Sequence, residues 1–498
     1  MTVPPEQQST AAFLSALSGA APIETHISLV YVGADTVWKL RKAVRLSFLD
    51  LTGSGARRQF AYRELELNAR AAPGLYRGVL AVLKLPDGGL ALGREGAGGE
   101  AIDWVVRMAR VPAEHFLERI ALSGSLSPAL LDAVADSVAA YHLALPPSRG
   151  VDPADAMRLV ALGNATAALE AGLPSDSVRE WLDAAMRRID ASAAWLEERG
   201  REGFVRRGHG DLHLGNMCLW QGRPVLFDAL EFDEALATID VGYDLAFLLM
   251  DVDHRVGRPQ ANRVLNRYIA RTADAALTRG LPVFLSLRAM VRAHVEAKRG
   301  RTSLAGTYLR DAQDYLQPKP ALVVAVGGLQ ATGKSTLARA LASELGPAPG
   351  ALVLRSDEIR KRRHGLAPEQ PLAAEAYTEE SHAAVMEALF ADAVTTARGG
   401  HAVVADATFL DHAHRVRIEQ AAVKAGAPFV GLWLEAPLPV LEARLRERQG
   451  DASDATLEVL HRALATAKEV SGWARIDAGT PGAALAGARQ AVRARVEA

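Results

Sequence analysis

One stretch decides the fold of the C-terminal part of this chain: Leu322-Val-Val-Ala-Val-Gly-Gly-Leu-Gln-Ala-Thr-Gly-Lys-Ser-Thr-Leu-Ala338. An apolar, β-branched run is followed by glycines, and an Ala/Leu-rich helical pattern begins directly after them. The four fixed positions of the phosphate-binding loop G-x-x-x-x-G-K-[ST] are filled by Gly328, Gly333, Lys334 and Ser335. The stretch therefore predicts a strand, a loop that binds phosphate and a helix.

The composition of this loop suits an anion site. Glycines let the backbone fold back without a Cβ clash, so that successive N–H groups can face one anion. A helix beginning at Lys334 adds the positive end of its dipole. We expect Lys334 to reach the β- and γ-phosphates of a nucleotide, Ser335 to hold Mg²⁺, and Thr336 to belong to the same nucleotide site. The alternative is a glycine-rich turn that binds nothing, which the strand before it and the helix after it disfavour.

Two aspartates lie near the ends of later apolar strands. Ligands bind at the carboxyl ends of parallel strands, so Asp357 is predicted to orient or deprotonate an acceptor hydroxyl, with Arg360 holding an anionic acceptor. Asp357 could instead cap a helix. Asp406, near the end of the strand at 402–409, suits an Mg²⁺ ion held through water, and its alternative is also a capping role.

A helix over 439–449 carries Arg444 and Arg448 four residues apart, so two like charges share one face. This arrangement predicts an anion between them, and we assign both to phosphate contact; a plain charged face is the alternative. Arg446 is expected to pair with Glu442 in solvent.

Residues 320–498 as a whole resemble the P-loop kinases near gluconate kinase, polynucleotide kinase and zeta-toxin kinases. The resemblance implies an α/β kinase domain with a parallel sheet that uses ATP. The segment is too short, and lacks the sensor and arginine-finger regions, for a ring-forming AAA motor.

The residues before this domain predict two lobes. A small lobe, 1–110, begins with a short helix, continues with a β-hairpin at 27–40 that turns at Gly33, and adds a helix over 57–71. Within the hairpin, Lys39 is either an edge-strand solubiliser or a functional cation. Further strands are predicted over 76–83 and 101–109. A helical lobe, 111–316, is predicted from Ala/Leu patterns over 127–144, 155–171, 176–199, 259–277 and 283–300.

The helical lobe is interrupted once, by a loop rich in Gly, His and Asp and a hairpin over 217–227. Asp211 and Asn216, with His209 before them, have the H-x-D-x-x-x-x-N spacing of a kinase catalytic loop. Asp228 ends the hairpin. A carboxylate in such a loop can accept the proton of a substrate hydroxyl, while an amide oxygen and a second carboxylate hold Mg²⁺ on the phosphates of ATP.

Residues 1–316 thereby resemble the aminoglycoside phosphotransferase and choline kinase branch of the protein-kinase-like α+β fold. The resemblance implies that Asp211 is the catalytic base and that Asn216 and Asp228 are the metal ligands. It also implies that Lys39 contacts the α- and β-phosphates. Glu64 is our choice for its ion-pair partner, which makes it part of the nucleotide site, with Glu66 as the alternative.

Two acidic groups follow the catalytic hairpin. The first could line a substrate pocket or form a solvated loop; it comprises Glu231, Asp233 and Glu234. The second, Asp240 and Asp244, lies four residues apart on a helix. In relatives such aspartates mostly support the catalytic loop, so a structural role is expected.

Composition limits the other possibilities. At 498 residues the chain should form two or three domains. A net charge of −1 argues against a polyanion-binding or membrane-surface role for the whole molecule, so nucleic acid is not an expected partner. The single cysteine, Cys218, excludes an intrachain disulfide. The N-terminal residues lack the features of a signal peptide, and the sequence has no apolar run long enough to span a bilayer, so we expect a cytoplasmic protein.

The order of the two domains resembles a bacterial family of fused aminoglycoside-phosphotransferase-like and AAA-type ATP-binding proteins. The sequence predicts an enzyme with two ATP- and Mg²⁺-dependent kinase domains that phosphorylate a hydroxyl of a small molecule such as a sugar, aminocyclitol or nucleoside. One alternative makes the P-loop domain the only active kinase, with the N-terminal domain as a substrate-binding module. The other is a non-enzymatic nucleotide sensor, which predicts missing chemical residues, although those residues are present.

Overall fold

A computed structural model describes residues 3–46, 49–447, 453–466, 469–480 and 482–496. The chain divides into two compact units: Met1–Ala156 with Glu197–Leu248, and Met157–Leu196 with Leu249–Ala498. Three helices run from one unit into the other, so the chain passes between them several times. Over the described residues, no helix has both the length and the apolar character required to cross a membrane.

The first unit contains a six-stranded antiparallel sheet with the strand order β1-β2-β3-β8-β6-β7. The predicted hairpin at 27–40 forms β2 and β3, and its turn is closed by a hydrogen bond from Gly33 N to Thr36 O. A side chain at position 33 would collide with the Trp38 ring. Its strands are β1 (Ile23–Glu24), β2 (Ser28–Val32), β3 (Thr36–Arg41), β6 (Tyr76–Lys84), β7 (Leu90–Gly93) and β8 (Glu100–Ala109). Two further strands, β4 (Arg45–Leu46) and β5 (Leu49–Asp50), pair with each other outside this sheet.

Two helices cover the faces of this sheet: α1 (Gln8–Ser18) and α2 (Ser54–Ala69). Leu14 of α1 packs with alternate residues of β2 and β3, including Leu29 and Leu40. On the other face, Ala61 of α2 packs with Trp104 of β8. Because side chains alternate across each strand, the same sheet contributes to the apolar core under α1 on one face and to the apolar core under α2 on the other.

The loop and hairpin predicted to interrupt the helices are confirmed. The hairpin pairs β10 with β11, and both turn residues, Gln221 and Gly222, have positive φ (50° and 78°), as a type I′ turn requires. Between the end of β8 and Arg255 the elements are α3 (Leu117–Leu122), α4 (Pro128–Ala144), α5 (Pro153–Glu170), α6 (Ser175–Glu202), β9 (Val205–Arg207), β10 (Met217–Trp220), β11 (Arg223–Leu226), α7 (Glu234–Ala237), β12 (Thr238–Asp240) and α8 (Val241–Arg255).

Three more helices precede the P-loop: α9 (Arg258–Thr272), α10 (Leu281–Lys298) and α11 (Thr302–Tyr315). The helix predicted over 259–277 is too long, because Ala273 adopts a left-handed conformation (φ 63°) that ends α9. A short 3₁₀ helix at Ala275–Arg279 follows. Helix α11 was not predicted.

The second unit contains a sheet of five parallel strands in the order β14-β15-β13-β16-β17. Its central strand is the apolar run before the phosphate loop, and its core includes Val324, Leu341 and Leu432. Both faces are covered by helices, which explains why the strands are continuously apolar. The elements are β13 (Val323–Gly328), α12 (Lys334–Ala342), β14 (Leu352–Arg355), α13 (Ser356–Arg363), α14 (Glu379–Arg398), β15 (Val403–Asp406), α15 (His412–Ala425), β16 (Phe429–Glu435), α16 (Leu438–Glu447), α17 (Leu457–Thr466), β17 (Ala474–Asp477) and α18 (Ala483–Val496).

Within this unit, helix α9 covers the edge of the parallel sheet at β14. Asn266 accepts a hydrogen bond from Val353 N at 2.6 Å and donates to Ala351 O at 3.3 Å. Asn262 also donates to Ala351 O, at 3.0 Å. Side-chain amides therefore supply the donor and acceptor that a neighbouring strand would otherwise supply.

Candidate active sites

The first unit contains a cleft of about 470 Å³ between its sheet and its catalytic loop. Lys39 of β3, Met108–Val111 at the end of β8, and Asp211 and Asp228 all line this cleft. Three of the residues predicted for the first site, Lys39, Asp211 and Asp228, thus line one cavity. A volume of this size suits a small-molecule ligand.

Lys39 is ion-paired at the base of this cleft. Its Nζ lies 2.8 Å from Glu64 Oε1 and also contacts the Asp228 carboxylate. Glu64, which is fully buried, is therefore the partner of Lys39, whereas Glu66 pairs with Arg63 near the surface. Burial opposes the charge on Lys39, but the nearby carboxylates outweigh it and raise its pKa.

A second buried cation, Arg41, was missed by the sequence reasoning. It lies two residues after Lys39 on the same strand and bridges Glu64, at 2.5 Å, to Glu231. A charged residue inside an apolar strand was the available signal.

Of the acidic group at 231–234, only Glu231 lines the cleft. Asp233 caps α7, and Glu234 pairs with arginines near the surface.

The catalytic loop is held by hydrogen bonds to its backbone and side chains. Asn216 donates from Nδ2 to the backbone oxygen and to Oδ2 of Asp211, both at 2.9 Å. Asp244 accepts from His209 N at 2.6 Å and from Gly210 N at 3.0 Å. The predicted supporting role of Asp244 is confirmed by these contacts. Its companion Asp240 instead holds Arg199, at 2.6 and 2.9 Å.

Asp228 occupies a strained position at the end of the hairpin. Its φ of 60° is left-handed, which is uncommon for a residue with a Cβ. The backbone is held by bonds from Asp228 N to the Tyr76 hydroxyl at 3.1 Å and from Ala229 N to Asn68 Oδ1 at 2.9 Å. Burial works to raise the pKa of Asp228, but Lys39 and Arg41 together lower it. This backbone conformation places the charged carboxylate of Asp228 in the cleft.

The phosphate loop of the second unit has the predicted geometry. Gly333 has φ 89° and precedes helix α12, and Gly328 has φ 138°. A Cβ at Gly328 would lie 2.6 Å from Leu434 O. Lys334 Nζ donates across the loop to Leu329 O at 2.7 Å, and Thr336 lies exposed in the first turn of α12.

Ser335 and Asp406 meet beside this loop. Ser335 Oγ donates to Asp406 Oδ2 at 2.6 Å. Arg355, the last residue of β14, donates to both: Nε to Asp406 Oδ2 at 3.1 Å and Nη2 to Ser335 Oγ at 2.9 Å. The sequence reasoning missed Arg355, although a basic residue at the end of an apolar strand was visible.

Asp357 and Arg360 lie on α13, beyond the end of β14. No side chain caps this helix, so the alternative role of Asp357 as its N-cap is not supported. Burial raises the pKa of Asp357, and Asp406 acts in the same direction against three nearby cations. Arg360 is buried; its Nη2 lies 3.1 Å from His382 Nδ1, and its guanidinium lies over the Tyr377 ring.

Of the two arginines assigned to phosphate contact, Arg444 reaches the loop. It donates to Ala331 O at 3.3 Å and to Ala478 O at 2.9 Å. Arg448 lies outside the described residues. Arg446 pairs with Glu442 at 3.3 Å and is mostly exposed, as predicted.

Both clusters have the chemistry of a magnesium site. Mg²⁺ prefers oxygen ligands and is usually held by one or two carboxylates together with phosphates and water. The first cluster offers the Asn216 amide and the Asp228 carboxylate. The second offers the Ser335 hydroxyl and the Asp406 carboxylate. Both carboxylates already pair with a cationic side chain, Lys39 at Asp228 and Arg355 at Asp406, which a metal ion would have to share or displace. Throughout the described ranges, no group of three or more His, Cys, Asp or Glu side chains could hold a metal ion by itself.

Comparison with known proteins defines the class. Residues 59–281 match the model of the phosphotransferase enzyme family, and residues 323–470 match the model of an AAA domain. The chain is an ATP-dependent phosphotransferase of the kinase class, in which a protein-kinase-like domain precedes a P-loop kinase domain. The fold class predicted from the sequence is confirmed.

Individual relatives match different shares of the chain. The uncharacterized protein Rv2004c of Mycobacterium tuberculosis is 29% identical over 477 residues, which cover 92% of each chain. The adenylyl-sulfate kinase of Myxococcus xanthus is 34% identical over 118 residues, covering 24% of this chain and 59% of that protein. The crystal structure of choline kinase from Cryptosporidium parvum is 12% identical with a TM-score of 0.41, covering 59% of this chain and 87% of that one.

Proposed function

We propose that the protein contains two ATP- and Mg²⁺-dependent kinase sites, each of which transfers the γ-phosphoryl group of ATP to a hydroxyl of a small molecule. The observation that carries the proposal is the convergence of Lys39, Asp211 and Asp228 in one cleft, with Asn216 bonded to Asp211, together with the phosphate loop in the other unit. Domains over 1–316 and 320–498 are part of the proposal. So is a cytoplasmic location, which the buried free thiol of Cys218 supports.

In the first site, Asp211 is the proposed base. Its carboxylate is held by Asn216 and would accept the proton of the acceptor hydroxyl as the bond to phosphorus forms. Lys39 would donate to the α- and β-phosphates while Glu64 keeps it oriented. Asn216 and Asp228 would hold Mg²⁺, which supplies charge neutralisation on the phosphates.

In the second site, the backbone N–H groups of the phosphate loop and Lys334 would bind the nucleotide phosphates. Ser335 and Asp406 would hold the metal ion. Asp357 is the proposed base because its carboxylate lies beyond a strand end and caps no helix. Burial also raises the pKa of Asp357, which makes its carboxylate a stronger proton acceptor than an ordinary aspartate. Arg360 and Arg444 would hold anionic groups of the acceptor and of the nucleotide.

The proposal is tested by separating the two sites in the full chain. Phosphate transfer from labelled ATP to a panel of sugars, aminocyclitols and nucleosides would be measured for the wild type, Asp211→Asn, Lys334→Ala and the double variant. We expect each single variant to lose one transfer activity and the double variant to lose both. If Asp211→Asn matches the wild type on every acceptor while Lys334→Ala is inactive, the P-loop domain is the only kinase and the proposal for the first site is wrong.

A further inference from the structure

Arg355 makes polar contacts with Ser335, Asp406 and Glu358 at the second site, and its side chain is only 3% exposed. Besides its bonds to Asp406 and Ser335, its Nη1 donates to Glu358 Oε1 at 2.7 Å. One guanidinium thus lies between two carboxylates. The Asp406 carboxylate belongs to the proposed metal-binding pair, and the Glu358 carboxylate lies on α13.

The contacts of Arg355 involve the same atoms that a metal ion would need. It donates to Ser335 Oγ and to Asp406 Oδ2, and Ser335 itself donates to that same Asp406 oxygen. A guanidinium cannot lose its charge in a protein. A divalent cation at this position would therefore meet a fixed positive charge in a site shielded from water, where repulsion is strong.

Glu358 offers Arg355 a second position. Its side chain is 14% exposed, so it is partly open to solvent, and it already accepts a bond from Arg355. It contacts neither Ser335 nor Asp406 in the described structure. Arg355 could keep this ion pair while giving up its two bonds to the metal-binding pair.

We infer that Arg355 is an internal competitor of Mg²⁺. In the nucleotide-free protein it neutralises Asp406 and occupies Ser335, and binding of the metal–nucleotide complex displaces it toward Glu358. Arg355 is a positioning residue in this scheme, because it acts through Asp406 and Ser335. The inference rests on the proposed nucleotide site of the second unit.

The test uses the full chain with Lys39→Met, which removes the proposed phosphate lysine of the first site. Binding of a fluorescent, non-hydrolysable ATP analogue is followed as Mg²⁺ is raised. Arg355→Met should lower the half-saturating Mg²⁺ concentration several-fold, because the competing charge is gone. Glu358→Gln should raise it, because Arg355 loses its second position. Arg339→Met removes a cation that touches Glu358 at 3.4 Å and should change the concentration less than about twofold.

A second readout is the melting temperature, measured first without and then with Mg²⁺ and the analogue. Without Mg²⁺ and analogue, Arg355→Met should lower the melting temperature, because Asp406 and Glu358 lose a shared cation. Adding both should raise its melting temperature more than that of the Lys39→Met parent. If Arg355→Met does not fold, Arg355→Lys is measured, and a smaller decrease in the Mg²⁺ requirement is expected.

The inference is overturned if Arg355→Met needs more Mg²⁺ than its parent, or the same amount, since Arg355 would then only support Asp406. It is also overturned if Glu358→Gln lowers the requirement. Failure of the proposed site gives a different result: the Lys39→Met parent would bind no analogue at any Mg²⁺ concentration, or would bind it equally well with Lys334→Ala added.

Discussion

Asn216 donates two hydrogen bonds to Asp211, one to the backbone oxygen of Asp211 and one to its carboxylate, and both are 2.9 Å long. The amide nitrogen of one residue thus fixes the direction of the other's carboxylate. The same side chain has an amide oxygen that can face a metal ion. The proposed base and a proposed metal ligand are therefore linked, and a change at Asn216 should also disturb Asp211.

Asp211→Asn should abolish proton acceptance at the first site. We expect its kcat to fall by about 10²- to 10⁴-fold, the range typical of general base catalysis. The melting temperature should change little, since this side chain is 42% exposed. Steady-state kinetics and thermal unfolding check both expectations. Asp233→Asn, at the cap of α7, is the matched control: asparagine caps a helix about as well as aspartate, so stability should change little and kcat should stay intact.

Glu64→Gln should be strongly destabilising. Glu64 is fully buried and compensates both Lys39 and Arg41, so the change leaves two buried cations short of negative charge. We expect a loss of about 3–5 kcal/mol in the free energy of unfolding, measured with urea. Glu66→Gln, two residues away, should cost less than about 0.5 kcal/mol. Equal effects of the two substitutions would contradict the ion-pair assignment.

Asp357→Asn should remove the proposed base of the second site and lower its kcat by about 10²- to 10⁴-fold. The pKa of Asp357 is raised by burial, so its charged form is lost at a higher pH than for an ordinary aspartate. The second activity of the wild type should therefore decline as pH falls toward this raised pKa, and a rate–pH profile would show it. Asp411→Asn, at the cap of α15, is the control and should retain the activity.

Stability should fall in mild acid because of His401. Burial lowers its pKa to about 4, although it donates to Gly350 O at 2.9 Å. The unfolded chain takes up the proton below about pH 6.5 and the folded chain does not, so stability is complete above that pH and is lost between 6.5 and 4. At pH 5 the loss is about 2 kcal/mol.

The His401 effect is measurable by urea unfolding between pH 4 and 7. His401→Gln keeps a donor for the carbonyl but has no titrating group, so its stability should depend less on pH. His294, whose pKa is also lowered to about 4, should account for part of the remaining dependence. An unchanged pH dependence in His401→Gln would show that His401 has the same pKa in the folded and the unfolded chain.

The sequence predicted best where function depends on local order. The phosphate loop favours glycine at 328 and 333 because both have positive φ, and a Cβ at 328 would also collide with Leu434 O, so the motif itself encodes the geometry. The hairpin before Asp228 was predicted because its turn pair, Gln221-Gly222, lies between two short apolar runs. Its two positive φ angles then follow from the turn type.

Prediction failed where a residue's role depends on distant partners. Arg41 and Arg355 were visible as charges in apolar strands, but their partners are distant in the sequence. Glu64 lies more than 20 positions after Arg41, and Asp406 lies more than 50 positions after Arg355. Nothing in helical periodicity marks Ala273 as the end of α9, since alanine favours helix and adopts the left-handed conformation only in this context.

The two asparagines of α9 have a practical consequence for cutting the chain. Excision of residues 320–498 at the boundary predicted from the sequence would remove the side chains that satisfy Ala351 and Val353. The fragment would present a bare strand edge, which is a template for intermolecular pairing. We therefore expect the isolated 320–498 fragment to self-associate. A fragment that begins before Arg258 keeps α9 and should remain monomeric under the same conditions.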